Sequence, residues 1–152
     1  MNVSEIYSEY SPKFGKTIEE MDSDTLKLLI EEVVKCEMPE IRAIPYIGTD
    51  EKITYQYEEL TALCPMTGVQ DLYSITISYT PNKFIPELKS LKFYFLEYRN
   101  LPISHEHLAY KIAKDMNDAI QPMDLSIVLE VAIRGGIKTT IEVFYNDGIC
   151  TK

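Results

Sequence analysis

Apolar positions along the chain switch between two spacings, and the switches predict the elements. Residues 1–20 are polar and tyrosine-rich, and Pro12 and Gly15 interrupt any regular pattern, so this stretch reads as an irregular arm. Asp22, Ser23 and Asp24 then precede a run, Thr25 to Lys35, whose apolar residues recur at helical intervals. That is a capped amphipathic helix, ended by Pro39. Ile41 to Tyr46 predicts a short strand, and Gly48-Thr49-Asp50 a turn. From Lys52 to Leu63, Ile53, Tyr55 and Tyr57 alternate against Thr54, Gln56 and Glu58, the period of a strand. Pro65 and Gly68 force a tight loop, and Asp71 leads into a second strand, Leu72 to Tyr79, so the two form an antiparallel pair.

Pro81 and Pro86 bracket a loop. Leu88, Leu91, Tyr94, Phe95 and Tyr98 return to helical spacing until Asn100, and Pro102 ends the run. Ser104 is a good cap for a further helix carrying Leu108, Ile112, Met116 and Ile120, which Pro122 stops. Leu125 to Ile133 alternates as a strand, Gly135-Gly136 turns the chain, and Ile137 to Tyr145 returns. The order is an N-terminal helix, two strands, two helices and two strands: an α+β fold. Four strands with one helical layer leave sheet edges and one face uncovered, and closure into a multi-subunit barrel covers them, so an oligomer is expected.

Composition narrows the class. A chain of 152 residues suits one domain, here an arm and helix over 1–40 followed by a main unit over 41–152. No apolar run approaches the roughly 20 residues that cross a bilayer. The first residues lack the basic and apolar regions of a signal peptide, so the expected location is the cytoplasm, with no membrane partner. Cysteines at 36, 64 and 150 are odd in number and far apart, which argues against a disulfide framework and against a Cys-x-x-Cys zinc site. The net charge of −9 disfavours direct binding to nucleic acid and points to a small molecule or a protein.

Candidate chemistry lies between Cys64 and Glu106, and each part also has an ordinary structural explanation. Cys64 ends a strand beside Pro65, where a thiol can meet a ligand and act as a nucleophile once it loses its proton. Asp71, at the far end of the same loop, can fold back toward it, or can simply satisfy turn N–H groups. Cys36, inside the first helix, reads as a buried thiol. His105 and Glu106 at a helix start can read the edge of a purine-like heterocycle, or merely decorate a first turn. His107 reads as a surface residue. Metal binding by His105, His107 and Cys64 is rejected because the spacing matches no zinc motif. Lys89 and Lys92 share a helix face and, with Ser90 and the helix N-terminal N–H groups, can hold a phosphate; a solvated face is the alternative. Arg134-Gly135-Gly136 is a hairpin turn or a phosphate grip. No dinucleotide-fold glycine motif, Walker motif or serine triad order is present.

Taken together, these blocks resemble the NADPH-dependent 7-cyano-7-deazaguanine reductases, the nitrile reductases of queuosine biosynthesis, in their short single-domain form. The match covers roughly Leu60 to Tyr145. Cys64-Pro65-x-Thr67-Gly68-x-x-Asp71 is similar to the family's Cys-Pro-x-Thr-Gly-x-x-Asp, and Glu87 to Tyr94 to its signature octapeptide. Tyr98-Arg99-Asn100, His105-Glu106 and Arg134-Gly135-Gly136 follow in order and spacing. Departures are Gln70 for a usual Pro, Leu88 for a frequent Ser, Phe93 for Leu or Tyr, and Leu101 where His is common.

The resemblance implies a tunnelling fold, an antiparallel ββααββ subunit that self-associates into pentamer-based β-barrel rings with sites between subunits. It implies that Cys64 attacks the nitrile carbon to give a thioimide and that Asp71 donates a proton. Pro86, Glu87, Leu88, His105 and Glu106 would bind the deazapurine substrate, and Lys89, Ser90, Lys92, Arg134 and Gly135 would hold NADPH. Two hydrides would take nitrile to primary amine, with no metal. A thioimide is a better hydride acceptor than a nitrile, so the chemistry agrees with the residues. Two alternatives stand beside this. One is the related branch that converts the nitrile to an amidine on tRNA in archaeosine synthesis and lacks the paired lysines. The other is a non-catalytic purine- or pterin-binding relative.

Overall fold

The computed structural model describes residues 1–13, 20 and 22–151. Its centre is a five-stranded antiparallel sheet in the order β2-β3-β5-β6-β7: β2 Ile53–Leu63, β3 Gln70–Thr80, β5 Asp124–Arg134, β6 Ile137–Asn146 and β7 Ile149–Thr151. A separate two-stranded ribbon pairs β1 (Ala43–Pro45) with β4 (Phe84–Pro86). Helix α3 (Leu88–Glu97) packs on β2, and α4 (His105–Ile120) packs on β5 and β6. No described helix is long and apolar enough to cross a membrane.

Strand alternation builds the core. On β3, Asp71, Tyr73, Ile75, Ile77 and Tyr79 are buried toward the helices, while Ser74, Thr76, Ser78 and Thr80 line the other face, half-buried. Leu125, Ile127 and Leu129 of β5 and Leu108, Ile112 and Met116 of α4 fill the same core. Ile75 and Ile77, 0% and 1% exposed, each contribute about 1.5–3 kcal/mol relative to remaining in water. One helix-covered face and one Ser/Thr face is the usual division of an antiparallel sheet.

Three expectations need correction. The predicted irregular arm begins as a helix, α1 (Val3–Tyr10), held by a capping box in which Glu5 N–H donates to Asn2 Oδ1 and Asn2 N–H to Glu5 Oε2. Val3, Ile6 and Tyr10 lie on its buried face, and Pro12 falls in a 3-10 turn, Ser11–Lys13; Gly15 lies outside the described residues. The loop bracketed by Pro81 and Pro86 contains β4, and the sheet has a fifth strand, β7. That strand is returned by Asp147 and Gly148 at φ 47° and 77°, a hairpin turn whose backbone favours such residues. Helix α2 (Ser23–Val34) is capped by Asp22 as its sequence requires, and it buries Leu29 and Val33. Cys36 is buried, as expected, but lies two residues past the end of α2 and not inside the helix.

One backbone tie sets the geometry of everything that follows. Leu63 N–H donates to Leu101 O at 3.0 Å, and Ile103 N–H donates to Leu63 O at 3.1 Å. The end of β2 is thereby joined to the segment that enters α4, so Cys64 and His105 emerge at the same corner of the fold.

Candidate active site

The loop after β2 is closed by its own backbone. Cys64 N–H donates to Val69 O, and Gly68 N–H donates back to Cys64 O, both at 2.8 Å. Gly68 at φ 70° supplies the left-handed turn that lets the two bonds form. The Cys64 side chain is half-buried at the mouth of this loop. The loop ends in β3, which delivers Asp71 and, two residues on and therefore on the same face, Tyr73.

Asp71 is 2% exposed. Arg134 Nε stands 2.7 Å from its Oδ1 as an ion pair, without the alignment of a hydrogen bond, and Arg134 Nη2 donates to the Gln70 carbonyl. The Tyr73 ring lies 6.1 Å from the His105 ring, centroid to centroid, at 60°. Burial pushes the Tyr73 phenol well above its usual range, and the nearby Asp71 and Cys64 push further, with Arg134 opposing. Its hydroxyl is close enough to Asp71 to feel the carboxylate, yet it forms no hydrogen bond of normal geometry. Three buried polar atoms at this corner therefore lack hydrogen-bond partners: Asp71 Oδ1, Tyr73 Oη and His105 Nδ1. Asp71 Oδ1 still has its ion pair with Arg134, whereas Tyr73 Oη and His105 Nδ1 retain capacity that a polar guest could use.

Other predicted residues fall differently. Glu106 is exposed beside His105. Ser104 stands at the cap position of α4 but makes no cap bond; its hydroxyl pairs with His107 Nδ1 at 2.6 Å, and His107 is half-buried instead of on the surface. A cavity of about 260 Å³ runs from this pair under Pro65 and Met66 to Leu29 and Val33 of α2. Cys64, Asp71, His105 and Glu106 do not line it.

The predicted cofactor residues gather on α3. Glu87 caps that helix, accepting from Lys89 N–H at 2.7 Å and Ser90 N–H at 2.8 Å, and these bonds lower its pKa. Two N-terminal N–H groups expected to meet a phosphate are therefore already engaged. Ser90 is spent on the fold, since it accepts from Arg42 N–H at 3.0 Å and donates to Glu87 O at 2.7 Å. Lys89 is exposed. Lys92 pairs with Glu59 at 3.0 Å and sits 4.6 Å above the Tyr57 ring. Both ammonium groups suit a phosphate-bearing ligand, because an exposed pair such as Lys92–Glu59 exchanges at little cost. Their surroundings are Arg42, Tyr57 and Glu59, none of which belongs to the Cys64 corner. Pro86 is buried at the end of β4, and Leu88 is exposed. Gly135 and Gly136, at φ 56° and 77°, form the tight turn that puts Arg134 opposite Ile137.

Tyr73 is the residue that motif reading passed over. The Cys-to-Asp block ends at Asp71, but the two-residue period of β3 already puts Tyr73 beside that carboxylate.

Comparisons with known proteins show the family. The family model for QueF-like protein matches residues 71–148. The NADPH-dependent 7-cyano-7-deazaguanine reductase of Chloroherpeton thalassium is 41% identical over 112 residues, 97% of its length and 74% of this chain. The protein of the same name from Pelodictyon phaeoclathratiforme is 47% identical over 88 residues, 76% of its length and 58% of this chain. Among solved structures, the archaeosine synthase QueF-Like in the apo form superposes with a TM-score of 0.57 at 16% identity. It covers 68% of this chain and 99% of that one, a likeness of fold alone. By its family match and its identity to these reductases, the chain belongs to the QueF-like protein family.

Proposed function

We propose that this protein reduces the nitrile of 7-cyano-7-deazaguanine to the primary amine with NADPH, through a thioimide on Cys64, in queuosine biosynthesis. The observation that carries the reading is the Cys64 corner: a half-buried thiol, a buried acid and an imidazole at the mouth of one loop, in a chain about 40% identical to named reductases.

Cys64 adds to the nitrile carbon. The S–C bond forms as one C–N π bond breaks, and Asp71 carries the thiol's proton to the nitrogen. His105 and Glu106 hold the heterocycle, with Pro86, Glu87 and Leu88 as neighbouring wall; Glu87 contributes chain and stem, its carboxylate remaining on the α3 cap. Lys89 and Lys92 take the cofactor's phosphates, with Ser90 fixing the helix start that presents them. Arg134 and Gly135, which lie at the Cys64 corner and not beside those lysines, would join that grip from an adjoining copy in the ring. NADPH, when bound, would supply two hydrides in turn. After the first hydride and a proton the S–C bond would break, returning the Cys64 thiolate and leaving an iminium that the second hydride reduces to the amine. A solvent proton would restore the thiol. Residues 41–152 form the reductase unit, and 1–40 are a segment attached to it that carries α1 and α2.

We also propose that copies close into rings. The support is a sheet with open edges at β2 and β7 and with Leu72, Ile133, Ile137 and Ile149 between 57% and 71% exposed. Light scattering tests this: a particle of 17.5 kDa overturns it.

Incubation with NADPH and the free nitrile tests the activity. Loss of nicotinamide absorbance together with a nitrile adduct in the intact mass is expected, and both vanish in Cys64→Ala. An adduct without NADPH oxidation favours amidine formation on tRNA, and no adduct favours a binding protein.

A further inference from the structure

Tyr73 is 3% exposed and stands where β3 places it, on the same face as Asp71 and against the His105 ring. A tyrosine so deeply buried ordinarily finds a partner for its hydroxyl. Tyr55 and Tyr79 bond each other at 3.0 Å, and Tyr94 bonds both Tyr98 and Asp115 at 2.7 Å. Tyr73 Oη, like Tyr10 Oη and Tyr57 Oη, makes no hydrogen bond of normal geometry. What sets it apart is that the carboxylate of Asp71, the thiol of Cys64 and the guanidinium of Arg134 all act on it, with Asp71 near enough to begin a hydrogen bond. A packing position would be served by Phe, which brings no hydroxyl to bury. The phenol also keeps its proton throughout the neutral range, so it is a lasting donor beside an acceptor, Asp71 Oδ1, that has no hydrogen bond either.

We propose that Tyr73 is a positioning residue for the reduction: its hydroxyl steers the Asp71 carboxyl toward the nitrogen of the nitrile that Cys64 attacks. The inference rests on the reductase reading and adds to it a residue that acts through Asp71. Arg134 holds the carboxylate from the β5 side, and Tyr73 reaches it from within β3. Between them they restrict how the carboxyl can turn. The step itself is balanced as before: the S–C bond forms, one π bond breaks, and the thiol's proton reaches the nitrogen by way of Asp71.

The test compares wild type, Tyr73→Phe, Asp71→Asn and the double variant. The readouts are kcat and KM with NADPH and the nitrile, and the rate of adduct formation on Cys64 by intact mass with NADPH withheld. Tyr73→Phe is expected to keep its melting temperature and to hold KM within about twofold. Its kcat and its adduct rate should fall together by roughly tenfold to a hundredfold, the scale of a misplaced catalytic group. In the Asp71→Asn background the same change is expected to do nothing further, since both act at one point. Equal kcat in Tyr73→Phe and wild type overturns the inference while leaving the reductase reading intact. So do additive losses in the double variant, or a Tyr73→Phe protein that fails to fold. A wild type that neither oxidises NADPH nor forms the adduct overturns the reductase reading, and the role of Tyr73 with it.

Discussion

Arg134 Nε and Asp71 Oδ1 are 2.7 Å apart, one side chain 44% exposed and the other 3%. The asymmetry decides which partner the fold can spare. Losing the arginine strands a carboxylate in the interior, whereas losing the acid leaves a guanidinium that can hydrate. Arg134→Leu is therefore expected to destabilise by about 1–3 kcal/mol, reduced toward the lower end by Arg134's own exposure. Asp71→Asn should cost less. Thermal unfolding of the two variants decides it, and the opposite order refutes the argument.

The same reasoning applies to a second buried pair. Lys111 Nζ lies 3.1 Å from Asp115 Oδ2, with side chains 5% and 26% exposed, and Tyr94 donates to that carboxylate at 2.7 Å. Asp115→Leu leaves a buried ammonium without its counterion and is expected to cost about 3 kcal/mol or more. Lys111→Met leaves an acid that keeps its tyrosine and touches water, and should cost clearly less. Denaturant unfolding of the two variants is the measurement.

Glu87 gives a pH-dependent prediction. Its pKa is lowered from 4.5, first by the Lys89 and Ser90 N–H groups it accepts from. A depressed carboxylate stabilises the fold above its unfolded pKa, and that contribution disappears as pH falls through the folded value. Glu87→Ala should therefore melt a few degrees below wild type at neutral pH. The gap should close progressively below pH 4.5, and a gap independent of pH would count against the cap.

The N-terminal helix offers a packing test. Ile6 is 0% exposed and shares the core with Leu29 and Val33. Ile6→Ala is expected to cost about 2–5 kcal/mol in a single cooperative transition. A loss under 1 kcal/mol, or an early separate transition, would mean that α1 melts apart from the sheet.

How much of this was legible in the sequence depended on whether a signal was local. The helices from Leu88 and His105 and the four long strands follow from period alone, because each buries one face along its whole length. Helix α1 was hidden by its tyrosines and by Pro12, although Asn2 and Glu5 spelled its capping box. Strand β7 was announced only by Asp147-Gly148, a two-residue cue after a convincing last strand. At the site, Cys64, Asp71, His105 and Arg134 stood out as chemistry. Tyr73 did not, because in a strand it reads as core. The engagement of Ser90 with Arg42 and of Ser104 with His107 could not be read in advance, since each depends on a hydroxyl's choice between rival partners in space.

The paired bonds from Leu63 to Leu101 and Ile103 make a rigid clamp between chain segments some forty positions apart. Sulfur and imidazole must then travel as one body when the sheet flexes, so their separation is insulated from strain arising elsewhere. The stretch Leu101 to Ile103, which carries no reactive atom, is consequently as intolerant of an inserted residue as the reactive loop itself.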